Sequence, residues 1–132
     1  MKKIFIICPV TTATIKERND LIKYVNELES MDYIVHYPYR DTPQNEIDLN
    51  INRINTKKIK TSDEVHIYYK PKSKGIHFDL GNLFSLKESH KNWILSLILR
   101  TFGIKNPKVL LINKPNNNNN SYSNMLEQWI NE

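Results

Sequence analysis

A chain of 132 residues with 39% hydrophobic and 25% charged side chains has the size of one domain and the composition of a packed globular protein, which excludes a disordered or fibrous chain. Its single cysteine rules out an internal disulfide, and its longest apolar stretch, around residues 93–99, is too short to span a bilayer. The net charge of +5 admits an anionic partner, but the lysines are scattered and no basic-aromatic ladder marks a nucleic-acid groove.

Residues 3–8, KIFIIC, form a short apolar run ending at Pro9, the pattern of a buried strand. No secretory leader is legible, because MKK is followed by only five apolar residues before Pro9. A soluble, cytoplasmic protein without a membrane segment is therefore expected. Thr11, Thr12 and Thr14 precede a helical pattern with Ile15, Ile22, Val25 and Leu28 on one stripe, and either Thr12 or Thr14 suits its N-cap. Asp32 turns the chain into a second strand, YIVHY (33–37), closed by Pro38. PYRDTPQNE (38–46) reads as a polar loop, after which Ile47, Ile51, Ile54 and Lys58 mark a second helix.

Asp63 enters a third strand, VHIYY (65–69), bounded by Pro71. KSKGIHFDLG (72–81) makes a glycine turn into a helix that runs to about Lys87. A further helix over about 91–102, with His90 at its start, carries Trp93, Ile94, Leu97, Ile98 and Phe102 on a wide apolar stripe. KVLLIN (108–113) is the fourth strand, NNNNN (116–120) a low-complexity loop, and SYSNMLEQWI a Ser-capped terminal helix. Strands alternating with helices imply βαβ units. The expected fold is one α/β domain over 1–132, a small doubly wound (Rossmann- or flavodoxin-like) parallel sheet of four to five strands in the order 2-1-3-4, with helices on both faces. The near-continuously apolar first and fourth strands suit positions covered on both sides.

In such a sheet, ligands bind outside the carboxyl ends of the strands. That rule selects the loops 9–14, 38–46, 70–79 and 113–121, and sets aside Asp63 as a strand-entry acid. Loop 9–14 lacks the glycines of a dinucleotide fingerprint or a P-loop, so no such cofactor is expected. Thr11 and Thr12 either hold an anion or sugar hydroxyls, or simply cap the helix. Tyr37 and the loop residues Arg40 and Asp41 offer donors and acceptors for a ligand; the alternative is an Arg40–Asp41 pair that stabilises the loop itself. Ser73 and Gly75 form a tight turn whose backbone N–H groups face outward. Asp79 follows within two helical turns, where the positive helix end favours an ionised carboxylate, yet it stands among Ile76, Phe78, Leu80, Leu83 and Phe84. A carboxylate among apolar neighbours calls for a partner or a task. His77 shares that loop, whereas His36 and His66 belong to strands. No pair of histidines has metal-ligand spacing, and no metal is expected.

The HYP-x-RDT-x-Q loop, the SDEVHI strand and the S-x-G-x-x-F-D-L-G turn resemble the nucleoside 2-deoxyribosyltransferase-like superfamily, which includes the 2′-deoxynucleoside 5′-monophosphate N-hydrolases. The likeness covers about residues 3–86 and resumes at 108–113 and the last helix; residues 88–105 look like an insertion or an extended helix. The resemblance implies cleavage or transfer of the base of a nucleoside or nucleoside 5′-monophosphate, with Asp79 in the place of the nucleophilic glutamate and Ser73 in that of a phosphate-binding serine. It also implies a homodimer in which Ser123 or Asn124 of a neighbouring subunit reaches the pocket. Asn55 stands where the hydrolases carry a second aspartate, and Asp41 is the substitute acid. A catalytically inactive nucleotide-binding module or sensor is the competing expectation.

Overall fold

The computed structural model describes residues 1–114 and 121–132. Its elements are β1 (Lys3–Ile7), α1 (Ile15–Ser30), β2 (Ile34–His36), α2 (Pro38–Asp41), α3 (Asp48–Thr61), β3 (Glu64–Ile67), α4 (Lys74–Ser89), α5 (Trp93–Thr101), β4 (Lys108–Leu111) and α6 (Ser121–Ile130). The strands are all parallel, in the order β2-β1-β3-β4, which is the doubly wound α/β sheet anticipated from the alternation of patterns. The polyasparagine run lies outside the described residues.

The residues of β1 point alternately to two apolar cores. Ile4 and Ile6 face α1, where Leu21, Val25 and Leu28 recur at helical spacing. Phe5 and Ile7 face the opposite layer, formed by Ile59 of α3, Ile76, Leu80 and Leu83 of α4, and Leu126 of α6. Burying each such side chain contributes roughly 1.5–3 kcal/mol, so these two layers dominate the stability of the sheet. β4 stands at the edge of the sheet beside β3, where the expected order 2-1-3-4 places it, and it is only half-buried, less covered than its apolar run suggests. Asn113 continues the pairing past its end, its side chain accepting from the Tyr69 N–H at 2.7 Å and donating to the Tyr69 carbonyl at 2.8 Å.

Local chemistry sets the element ends. Thr14, not Thr12, caps α1: its hydroxyl accepts from the Glu17 N–H, and the Glu17 carboxylate accepts in return from the Thr14 N–H. Asp32 turns the chain at φ 64°, a left-handed conformation that Asp tolerates. The segment expected to be all loop after β2 begins with the short helix α2, started by Pro38 at its first position. His90 closes α4 rather than opening α5, which is capped by Asn92. Asp63, at the opposite end of the sheet from the loops that follow the strands, accepts from the Lys3 N–H and pairs with Lys105. Among the described residues, no helix is long and apolar enough to cross a membrane.

Candidate active site

Strand order reverses between β1 and β3, and a cleft of about 600 Å³ opens outside the carboxyl ends there. Its walls are the loop after β1 (Cys8, Val10, Thr11, Thr12), the segment after β2 (Pro38, Gln44), one face of α3 (Asp48, Ile51, Asn52, Asn55) and the start of α4 (Lys72 to Gly75, Phe78, Asp79). Lys70 fastens the first of these walls to the last. Its ammonium donates to the Thr12 carbonyl and pairs with Glu17 at 2.8 Å.

Asp79 is 6% exposed, and its Oδ1 has no hydrogen-bond partner among the described residues. Burial alone raises its pKa from 3.8 to about 7. The helix-end argument, which favours an ionised carboxylate, is therefore overruled. Asp79 is the sixth residue of α4, beyond the first turn where the helix field acts, and water has been stripped from it without a cation in exchange. At neutral pH the carboxyl is shared between protonated and ionised forms. The Cys8 thiol lies close by; burial first, and the charge of Asp79 second, hold its pKa well above the usual value. It stays protonated and is no competing nucleophile.

Asn55 reaches the same cleft from α3. It is buried, and its Oδ1 accepts from the Thr42 hydroxyl at 2.9 Å; that hydroxyl lies 2.8 Å from the His36 Nε2. With the Thr42 proton committed to Asn55, His36 must donate through Nε2. Burial depresses the His36 pKa to about 4, so the ring is neutral, and it stacks on Phe5 at 5.3 Å. This His36–Thr42–Asn55 chain holds the Asn55 oxygen inward and leaves its NH₂ as the group available to the cleft.

The mouth is cationic and hydroxylic. Ser73 caps α4, accepting from the Ile76 N–H, so its own proton remains free to donate. Lys72 and Lys74 line the rim, without a salt bridge among the described residues. Gly75 faces open space, where an added Cβ would meet nothing within 4 Å, so no tight contact requires a glycine here. Among the described residues no group of three or more His, Cys, Asp or Glu is placed to hold a metal ion.

Of the residues singled out in the sequence, Asp79, Ser73, Gly75, Thr11 and Thr12 meet in this cleft. Four others are corrected in position. Arg40 is consumed away from the cleft, donating to Glu29 at 2.6 Å, to the Val35 carbonyl at 3.1 Å and to both oxygens of Asp41. Asp41 accepts from the Tyr37 N–H and from Arg40. Burial works to raise its pKa, but those donors outweigh it and hold the carboxylate below its usual range. The loop-stabilising alternative for this pair is the one observed. Tyr37 is buried in the α1-side core, and burial pushes its phenol to about 12. His77 lies about 200° around α4 from Asp79, because successive residues turn by about 100°. It donates to the Ser73 carbonyl at 2.7 Å and packs against the Tyr69 and Tyr122 rings. Ser123 and Asn124 do not line the cleft of their own chain: Ser123 is buried in α6 with no partner for its Oγ among the described residues, and Asn124 is exposed.

The sequence reading missed Asp48, Asn52, Lys72 and Lys74. The signal for the first two was present: positions 48, 52 and 55 fall on one stripe of a helix that starts beyond the carboxyl end of β2. Asp48 is thus the second carboxyl in the cleft, a place that Asp41 does not take. Comparison of the chain with models of protein families, with curated proteins and with solved structures returned no match in any of the three.

Proposed function

We propose that the protein is an N-glycosidase or deoxyribosyltransferase that removes or transfers the base of a nucleoside or nucleoside 5′-monophosphate, with Asp79 as the nucleophile. The observation that carries this reading is a buried carboxyl with an unpartnered oxygen, set in a cleft at the switch point of the sheet. Ionised Asp79 attacks C1′ of the sugar as the C–N bond breaks, and the electron pair leaves with the base. The departing nitrogen takes a proton from water. Water then opens the glycosyl ester at C1′ to give free sugar and regenerates the carboxylate; a second base in place of water gives transfer. Ser73, Lys72, Lys74, Thr11 and Thr12 hold the sugar's hydroxyl or 5′-phosphate end, and the Asn55 amide donates to the substrate from the floor. The chain acts as a homodimer in the cytoplasm and needs neither metal nor organic cofactor.

A second reading, a nucleotide-binding module without catalysis, is favoured by Asn55, which cannot exchange a proton, and by the absence of Asp41 from the cleft. The two are separated by incubating the protein with ribo- and deoxyribonucleosides and their 5′-monophosphates and following free base by chromatography. Release that disappears in Asp79→Asn supports the enzyme. Binding of one compound by both proteins with no release from any of them makes the cleft a receptor.

A further inference from the structure

Asp79 puts a carboxylate into the cleft with no positive charge set against it. Its Oδ1 has no partner among the described residues, and no ion pair among them includes it. A ligand that brings a cation to this wall balances the charge, whereas a neutral ligand strips away more water and balances nothing. The charged side chains that line the cleft fall into two sets. Lys72 and Lys74 flank Ser73 at the start of α4, where an anion belongs. Asp79 lies more than a turn further along the same helix, and Asp48 stands, exposed, in the first turn of α3. Nor does the buried part of the cleft hold, among the described residues, a second group able to protonate a leaving base. Asn55, held by the Thr42 hydroxyl, offers an N–H that bonds without giving up its proton, the Cys8 thiol keeps its own, and Asp41 is tied to Tyr37 and Arg40. Residues 115–120 are a proline and five asparagines in sequence, so they add no acid.

We propose that the cleft takes N-glycosides whose base already carries a positive charge: a nucleoside 5′-monophosphate of a pyridinium or of an N7-alkylated purine. The inference rests on the glycosidase reading, with Asp79 as the nucleophile, and narrows its substrate class. Such a ligand is anionic at one end and cationic at the other, as the cleft is in the opposite sense. The phosphate lies at Lys72, Ser73 and Lys74, and the cationic ring on the acidic side. Phe78, half-exposed in the same wall, supplies an aromatic surface that attracts a cationic ring. As Asp79 attacks C1′, the C1′–N bond breaks and its electron pair neutralises the ring nitrogen. A neutral base therefore departs without a proton, which is the one thing the buried part of the cleft does not supply. Water then cleaves the ester at C1′, leaving a hydroxyl on the sugar, the regenerated carboxylate and one proton in solution.

The test compares ligands of matched shape and different charge. Nicotinamide mononucleotide is set against its neutral, reduced form, and N7-methylguanosine 5′-monophosphate against guanosine 5′-monophosphate, the purine pair in ribo- and 2′-deoxyribo-forms. Binding to wild type and to Asp79→Asn is measured by calorimetry above pH 7, where Asp79 is ionised, and base release is followed beside a protein-free blank. Wild type is expected to bind the cationic member of at least one pair about tenfold more tightly, a preference that falls to within about threefold in Asp79→Asn. Release of the cationic base over its blank is expected to be about a hundredfold faster than that of its neutral counterpart, the factor a missing general acid costs. Equal affinity for both members of each pair, or a preference that survives in Asp79→Asn, overturns the proposal. Release from the neutral nucleotides alone also overturns it and leaves the glycosidase reading standing. Charge-dependent binding with no release from any compound upholds the ligand class, and the glycosidase reading is then what fails.

Discussion

Asp79→Asn separates the electrostatics of this fold from its chemistry. Burial raises the folded-state pKa of Asp79 from 3.8 to about 7, so between those values the folded chain holds a proton that the unfolded chain releases. Stability therefore falls as pH rises: the contribution is fully present below 3.8 and lost by about pH 7. At about 1.4 kcal/mol for each pH unit, the loss is about 4 kcal/mol, an upper figure because local relaxation and water entry reduce it. Asparagine never ionises, so the variant lacks this loss. In urea unfolding at pH 4 and pH 8.5, the stability of Asp79→Asn relative to wild type is expected to improve by about 2–4 kcal/mol from the lower to the higher pH. Other titrating groups, such as His36 and Asp41, are common to both proteins and cancel in the difference. Parallel pH profiles for the two proteins would refute the claim that Asp79 is buried without a compensating charge.

The same ionisation governs activity on the proposed function: kcat/KM for base release is expected to rise with pH to a plateau above about 7, and a profile flat from pH 5 to 9 would contradict a nucleophilic Asp79. Thr42→Val removes the link between His36 and Asn55 and leaves two polar groups unpaired, at an expected cost of about 1–3 kcal/mol read from the urea midpoint. Asp41→Asn is expected to leave kcat within a few-fold and to lower the melting temperature, because Asp41 braces Tyr37 and Arg40. A loss of about tenfold or more in kcat for this variant would return Asp41 to the site.

Much of the fold is written in local patterns. KIFIIC supplies both cores through strict alternation, and the Thr14 to Glu17 spacing encodes the start of α1. The site was legible wherever one local feature decided it. A lone acid among apolar residues is visible in the sequence, and so is the turn that precedes it. What failed depended on partners distant in sequence. Arg40 looks like a free ligand-binding fork until Glu29, eleven residues earlier, is found against it. His77 shares a loop with Asp79 in the sequence, but helix geometry turns it to the far side. The sequence misjudges the charge state of Asp79 because the helix end is a local signal, whereas burial is set by the tertiary packing around α4. β4 reads as a fully covered strand because LLI alternates nothing polar, but at the sheet edge, where the expected order already places it, it is only half-buried.

The most direct test of the central claim is to look for the covalent sugar on the carboxylate. The protein is mixed with a deoxyribonucleoside 5′-monophosphate that it depletes of base, quenched in acid, and analysed by intact-mass and peptide mass spectrometry. The account expects a deoxyribosyl phosphate adduct on the peptide that carries Asp79, absent from Asp79→Asn together with base release. Base release that persists in Asp79→Asn, or an adduct on another residue, would contradict it.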